Sequence, residues 1–381
     1  MNFRKRTVLV VAMVAGTLLF AASAFHSAAQ NPTDPQDKSR PRRAESTPSP
    51  SPRPRTEDET TLSSDDVIRV ETNLTNVFFT AADRQKRFVS DIKREDVRIL
   101  EDGVPQQIFT FQANVDLPLS LAILIDTSGS EERTLPEEKA AARSFLESVM
   151  RANKDEAAVV SFTGEVTLEQ GLTGNVSRLR RAIDQIEFVA PSGYVGGGVV
   201  VGGTPPISGT QQTLAGGTAI WDAIWATSNE LLNSTAEHTR RAIILLTDGQ
   251  DTVSQVHMRD AINRAVKSDA LIYAIGIGDR YQYGVDEGSL KKLTEATGGR
   301  AYFPRNERDL HEAFAQIEKD LREQYLIAYS PSNKSRDNSY RRVTIEVINP
   351  EVRKQNLKLN YRPGYFANSL DATAPSKPKK P

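Results

Sequence analysis

The chain contains no cysteine. That excludes a disulfide scaffold, a thiolate metal site, a cysteine nucleophile and a lipobox-type lipid anchor. Histidine is nearly as scarce. His26, His238, His257 and His311 are scattered, and none stands in a metal spacing such as H-E-x-x-H. Charge of one sign is missing too. With 48 basic against 49 acidic residues, the formal net charge is -1, so nothing global points to nucleic acid or an anionic membrane surface as partner. There is no G-x-S-x-G elbow for a serine hydrolase. What remains is 381 residues, 38% hydrophobic and 25% charged. That is enough for one large α/β domain and a smaller one.

The chain opens with Arg4, Lys5 and Arg6, followed by an apolar stretch from Thr7 to Ala22 and small residues at Ser23, Ala24, Ser27, Ala28 and Ala29. Residues 1–29 therefore read as a secretory signal peptide, cleaved after Ala24 or Ala29. An uncleaved helix is the alternative, since the apolar stretch approaches spanning length. The expectation is export, periplasmic or secreted, with a membrane contact only if the segment is kept. Residues 30–64 are rich in proline, serine and arginine and read as a disordered linker. Residues 367–381 read as a disordered tail.

Two stretches have β character. In 65–116, Ile68 and Val70 alternate with polar neighbours, as do Val97 and Ile99, and Ile108, Phe109 and Phe111 follow. Asp102-Gly103 between short β-like runs is a hairpin signal, since both positions tolerate positive φ. In 325–366, Val343, Ile345 and Val347 alternate, as do Leu357, Leu359 and Tyr361. Short isolated sheets are marginal in water, so the two segments are expected to share one small β accessory domain.

Between them, 117–324 alternates strand and helix. Strands are predicted at 119–126, 157–162, 166–172, 241–247, 271–277 and 300–303, and helices at 135–151, 176–187, 219–232, 257–268, 289–297 and 307–323. Helices between apolar strands imply right-handed crossovers and a doubly wound, mainly parallel sheet. The short Thr163-Gly164-Glu165 turn makes 166–172 an antiparallel edge strand. The glycine-rich loop at 190–217 lacks the G-x-G-x-x-G spacing and the following Lys-Ser/Thr of nucleotide loops. It reads as a flexible insertion, with a ligand-reading role left open.

Three places carry the chemistry. The apolar run Leu119–Ile125 stops at Asp126-Thr127-Ser128-Gly129-Ser130. Gly216-Gly217 leads into Thr218 at a helix start. Ala242–Leu246 ends in Thr247-Asp248-Gly249. The carboxyl ends of parallel strands are where an open α/β sheet builds its sites. Two carboxylates and three hydroxyls are oxygen donors, which suit a hard divalent cation, above all Mg²⁺, with Mn²⁺ or Ca²⁺ also compatible. Each residue has a plainer reading: Asp126 as a helix N-cap, Thr218 as the cap of the next helix, Asp248-Gly249 as a turn. Glu131, Asp222 and Asp251 lie beside these motifs and read as solvated or supporting carboxylates.

Asp126-x-Ser128-x-Ser130, Thr218 and Asp248 together resemble the metal-ion-dependent adhesion site of von Willebrand factor type A domains. The stretch Glu95–Gln106 resembles the segment preceding that domain in an exported bacterial family of VWFA-related proteins, abundant in Acidobacteria, and the likeness runs from about residue 65 to 366. The resemblance implies a VWA, Rossmann-like fold. It implies Ser128 and Ser130 as direct ligands, Asp126 and Asp248 as direct or water-bridged ligands, and Thr218 as a ligand whose engagement changes with conformation. It also implies a protein or peptide partner presenting a carboxylate to the ion. A structural or assembly factor whose ion only stabilises the fold is the alternative. A metal-dependent hydrolase is a third reading, but nothing supplies a general base beside a metal-activated water. No catalytic residue and no organic cofactor is expected.

Overall fold

The structure is a computed structural model that describes residues 74–85, 87–188, 217–236, 239–278 and 284–367. The segments read as signal and linker, Ile68 and Val70, all but Gly217 of the glycine-rich loop, and the tail after 367 lie outside the described residues.

Four strands come first: β1 (Thr75–Ala82), β2 (Val97–Glu101), β3 (Val104–Gln106) and β4 (Ile108–Gln112). The α/β part then runs β5 (Leu119–Asp126), α1 (Leu135–Val149), β6 (Glu156–Phe162), β7 (Val166–Thr173), α2 (Val176–Gln185), α3 (Ile220–Ala226), β8 (Arg240–Thr247), α4 (Met258–Lys267), β9 (Ala270–Gly276), α5 (Glu287–Thr297), β10 (Ala301–Tyr302) and α6 (Glu307–Arg322). The chain closes with β11 (Tyr325–Tyr329), β12 (Tyr340–Val347), α7 (Pro350–Lys354), β13 (Lys358–Tyr361) and β14 (Gly364–Phe366).

The central sheet has the order β10-β9-β8-β5-β6-β7. Every pairing is parallel except β6 with β7, which is antiparallel. All eight residues of β5 are buried, because helices cover both faces of the sheet. The alternation of side chains still divides them. Leu119, Leu121, Ile123 and Ile125 join the core under α1, α2 and α6. Ala122 and Leu124 join the core under α3, α4 and α5. From β5 the chain winds one way, through α1 to β6. From β8, the neighbour of β5 on its other side, it winds the opposite way, through α4 to β9. The carboxyl ends of β5 and β8 thus flank the point where the winding reverses, where such sheets hold ligands.

The flanking strands form two four-stranded sheets, β13-β1-β11-β4 and β14-β12-β2-β3. Each mixes strands from before and after the α/β part. Val77, Phe79, Val97, Ile99, Tyr325, Ile327, Val343 and Ile345 make one shared core. At the turn between β2 and β3, Asp102 (φ 49°) and Gly103 (φ 82°) both take positive φ, as a tight hairpin requires. The partner across that hairpin is β3, and Ile108–Gln112 crosses to the other sheet beside β11. The helix predicted at 219–232 is α-helical only to Ala226 and then widens into a π turn, Thr227–Leu231. Among the described residues no helix is long and apolar enough to cross a membrane.

Candidate metal centre

β5 and β8 end side by side, and each delivers a carboxylate as the chain leaves the sheet. Asp126 is fully buried. Its Oδ2 accepts the Thr247 hydroxyl at 2.6 Å and its Oδ1 accepts the Ser128 N–H at 2.9 Å. Asp248 is buried one residue beyond β8 and its Oδ1 accepts the Gln250 N–H at 2.9 Å. Asp126 is not a helix N-cap. Both carboxylates close Asx turns, so the plain turn reading of Asp248 is true locally. It does not account for their convergence: one oxygen each of Asp126, Asp248 and Glu131 lie within 4.8 Å of one another. Gly249 has φ +85°, and a Cβ there would meet Leu290 Cγ at 3.0 Å and the Asp286 carbonyl at 3.1 Å, so only glycine lets the chain turn away at this point.

Ser128 is buried beside Asp126, and Ser130 follows in the short 3₁₀ turn Gly129–Glu131, its side chain outside the described residues. Thr218 is buried just before α3, and its backbone is fastened to the loop after Asp248. The Thr218 N–H donates to Thr252 Oγ1 at 2.8 Å, and its carbonyl accepts the N–H of Thr252 at 2.9 Å and of Val253 at 3.2 Å. Thr218 is not the cap of α3. That role falls to Asp251, whose Oδ1 accepts the N–H of Ile220 at 2.8 Å and of Trp221 at 3.3 Å. Asp222 likewise holds the Gln255 and Val256 N–H groups at 3.0 and 2.8 Å. These two acids fix loops.

Glu131 is different, and the structure corrects the solvated reading of it. It is fully buried, and so is Glu138 on α1. The Thr134 hydroxyl donates to Glu131 Oε2 at 2.6 Å. No donor reaches Glu131 Oε1, and the buried Glu138 carboxylate lies beside Thr134 and Glu131. Burial pushes Asp126 and Glu138 each up to about 7, against hydrogen bonds that pull the other way. Burial and then the charges of Glu138 and Asp126 raise Glu131 well above the carboxylate range. The charges that raise these three groups are other carboxylates, Asp248 among them. Such a cluster must take up protons or a cation.

A family profile described as von Willebrand factor type A domain matches residues 207–316, and a second of the same description matches residues 121–201. The chain is a von Willebrand factor type A domain protein. Its structure is similar to that of the conserved hypothetical protein BatB from Bacteroides thetaiotaomicron, at 16% identity over 53% of this chain and 98% of that one, with a TM-score of 0.40. It is similar to a von Willebrand factor type A protein from Catenulispora acidiphila, at 14% identity over 76% and 72% of the two chains, with a TM-score of 0.42. It is also similar to proximal thread matrix protein 1 of the mussel byssus, solved with zinc in its MIDAS motif. There the identity is 15%, the coverage 55% of this chain and 49% of that one, and the TM-score 0.40. No curated protein matches the chain.

The donor set of this type A domain fits a divalent cation on its own chemistry. Its polar side chains offer oxygen alone, its carboxylates are buried, and Glu131 Oε1 is a buried acceptor with nothing to accept. Asp126, Asp248 and Glu131 are the carboxylates that the structure brings together here.

Proposed function

We propose that this chain binds a divalent cation through Asp126, Ser128, Ser130, Thr218 and Asp248 and uses it to hold an acidic protein or peptide outside the cytoplasm. The observation that carries the reading is the placement of two buried carboxylates at the adjacent ends of β5 and β8, at the reversal of the winding. The ion's role follows from elementary electrostatics. Serine and threonine hydroxyls are neutral, so among these ligands only the two carboxylates offset the cation's charge. A carboxylate arriving from a partner gains more from that charge than a water molecule does. Mg²⁺ is the ion that such a hydroxyl-rich set suits, with Mn²⁺ or Ca²⁺ as substitutes. Export rests on the sequence of residues 1–29 alone.

One observation favours a second reading. Three carboxylates of the cluster are buried, and an ion closed in among buried acids can serve the fold without meeting a partner. A pulldown from the native envelope in Mg²⁺, repeated in EDTA, separates the two. Under the proposal a partner is captured in Mg²⁺, lost in EDTA and regained with Mg²⁺ or Mn²⁺. Capture that ignores EDTA leaves only the stabilising ion.

A further inference from the structure

We infer that Glu131 is itself a ligand of the cation, a third carboxylate beside Asp126 and Asp248. The inference rests on the metal reading above and specifies what that metal meets. Three facts carry it. The Glu131 carboxylate is among the three whose oxygens lie within 4.8 Å of one another. Its Oε2 is used by Thr134 at 2.6 Å, which leaves Oε1 as the atom with no partner. Its side chain is 0% exposed, so water cannot supply what the protein withholds.

An unpaired buried carboxylate costs several kcal/mol, and an apolar residue would fill the same space at no such cost. A cation at the ends of β5 and β8 removes that cost, because it gives Oε1 a partner and sets a positive charge among the acids. Glu138, on the buried face of α1, lies beside Thr134 and Glu131 and acts on Glu131 through its charge. It is a positioning residue at most.

The chemistry of the ion changes with a third carboxylate. Mg²⁺ sites use one or two carboxylates and keep several waters, whereas Ca²⁺ accepts more charged oxygens in a looser shell. Three carboxylates against a divalent ion shift the preference of this site from Mg²⁺ toward Ca²⁺ and Mn²⁺. Three ionised carboxylates also exceed the ion's charge, so Glu131 opposes the attraction of an outside carboxylate.

The test uses the purified full chain and Mn²⁺ as probe. Free Mn²⁺ is followed by electron paramagnetic resonance, and the waters on the bound ion by water-proton relaxation. Glu131→Gln is expected to weaken Mn²⁺ binding about tenfold or more and to add a water to the bound ion. Glu131→Met, which fills the buried position with an apolar side chain of similar length, is expected to do the same. The metal-free variants should melt no lower than metal-free wild type, since each removes a buried charge. Unchanged affinity in both variants overturns the inference. Weaker binding with an unchanged water count also overturns it, because Glu131 would then act on the ion only through its charge. Wild-type chain that takes up no divalent cation overturns the metal reading itself. That outcome is distinct, because Asp126→Ala would then lose nothing either.

Discussion

At the scale of single residues, the site is a set of polar groups stationed where apolar runs stop. Removing one carboxylate should remove the metal and spare the fold. Asp126→Ala and Asp248→Ala each delete a charged ligand and leave hydroxyls that cannot hold the ion alone. The strand beneath is secured by apolar burial. Leu119, Leu121, Ile123, Leu124 and Ile125 are at most 2% exposed, and each contributes about 1.5–3 kcal/mol. Calorimetry with Mg²⁺ or Mn²⁺ should show binding in wild type and none in either variant, with circular dichroism unchanged. Loss of the dichroism would make both residues structural. Asp251→Ala should behave differently. It removes the cap of α3 and should cost about 1 kcal/mol of stability, read as a lower denaturant midpoint. Asp126, Ser128, Ser130 and Asp248 stood out in the sequence because a carboxylate or hydroxyl has no reason of stability to follow a buried strand, and Thr218 because it opens a helix after two glycines. Glu131 did not. It lies in the charged run Glu131-Glu132-Arg133, where nothing in the order of residues says which acid turns inward. A signal existed seven residues further on. Glu138 sits three residues after Leu135 and four before Ala142, on the buried stripe of α1. An acid on an apolar stripe marks a buried charge.

At the scale of strands and helices, the sequence was most legible where the pattern was longest. The β5 boundaries predicted from the apolar run coincide with those observed, and the edge strand β7 is antiparallel as its short turn required. β1 escaped. Phe79, Thr80, Ala81 and Ala82 are buried without a break after the half-buried Phe78, because this part of β1 lies between β11 and β13. A central strand of that kind has no alternation to read. The elements are pinned at their ends by buried charge, and two pins are testable. Asp155, at the start of β6, accepts the N–H of Leu119 and of Arg151 at 2.9 Å each, and the Arg151 guanidinium at 2.6 and 2.7 Å. Burial alone would raise its pKa, but the Arg151 and backbone hydrogen bonds outweigh this and hold it below the carboxylate range. A carboxylate depressed in the folded state contributes stability that is full above its unfolded value of about 3.9 and is lost as pH falls through the folded value. Asp155→Asn should therefore cost on the order of 2 kcal/mol at pH 7. The gap to wild type should narrow below about pH 4, which melts at graded pH would measure. A gap that stays constant to pH 3 would exclude a charge effect. In the accessory sheets, Glu101 and Arg341 are paired at 3.2 Å, with the Tyr329 and Tyr365 hydroxyls donating to Glu101 at 2.7 and 2.8 Å. Both ions are 3% exposed. Arg341→Met strands a buried carboxylate and should cost about 3–5 kcal/mol. Glu101→Gln with Arg341→Met should recover part of that loss.

At the scale of the whole molecule, the α/β part and the β part are joined in sequence twice but are organised around separate cores. The sheet of the type A domain packs its two faces within residues 119–321. The flanking strands share a core that neither flank can build alone. Several links between the two are polar. Asn360 Nδ2 donates to the Gly298 carbonyl at 2.7 Å, Arg362 pairs with Asp269, and Arg300 reaches the Thr80 hydroxyl at 3.3 Å. Contacts of this kind fix an orientation and add little to the stability of either part. A chain trimmed to 117–324 should therefore melt cooperatively by itself and keep its cation. Deleting 325–366 alone has the opposite consequence for the other part. It removes β11 from between β1 and β4, and takes β12 away from β2. The remaining hairpin of β2 and β3 and two unpaired strands cannot persist in water. Amide exchange should then find 75–112 unprotected while β5, β6, β8 and β9 keep their protection. If 75–112 stays as protected as in the full chain, the flanks do not depend on each other. If 117–324 fails to fold, the accessory sheets are part of the type A domain's own stability.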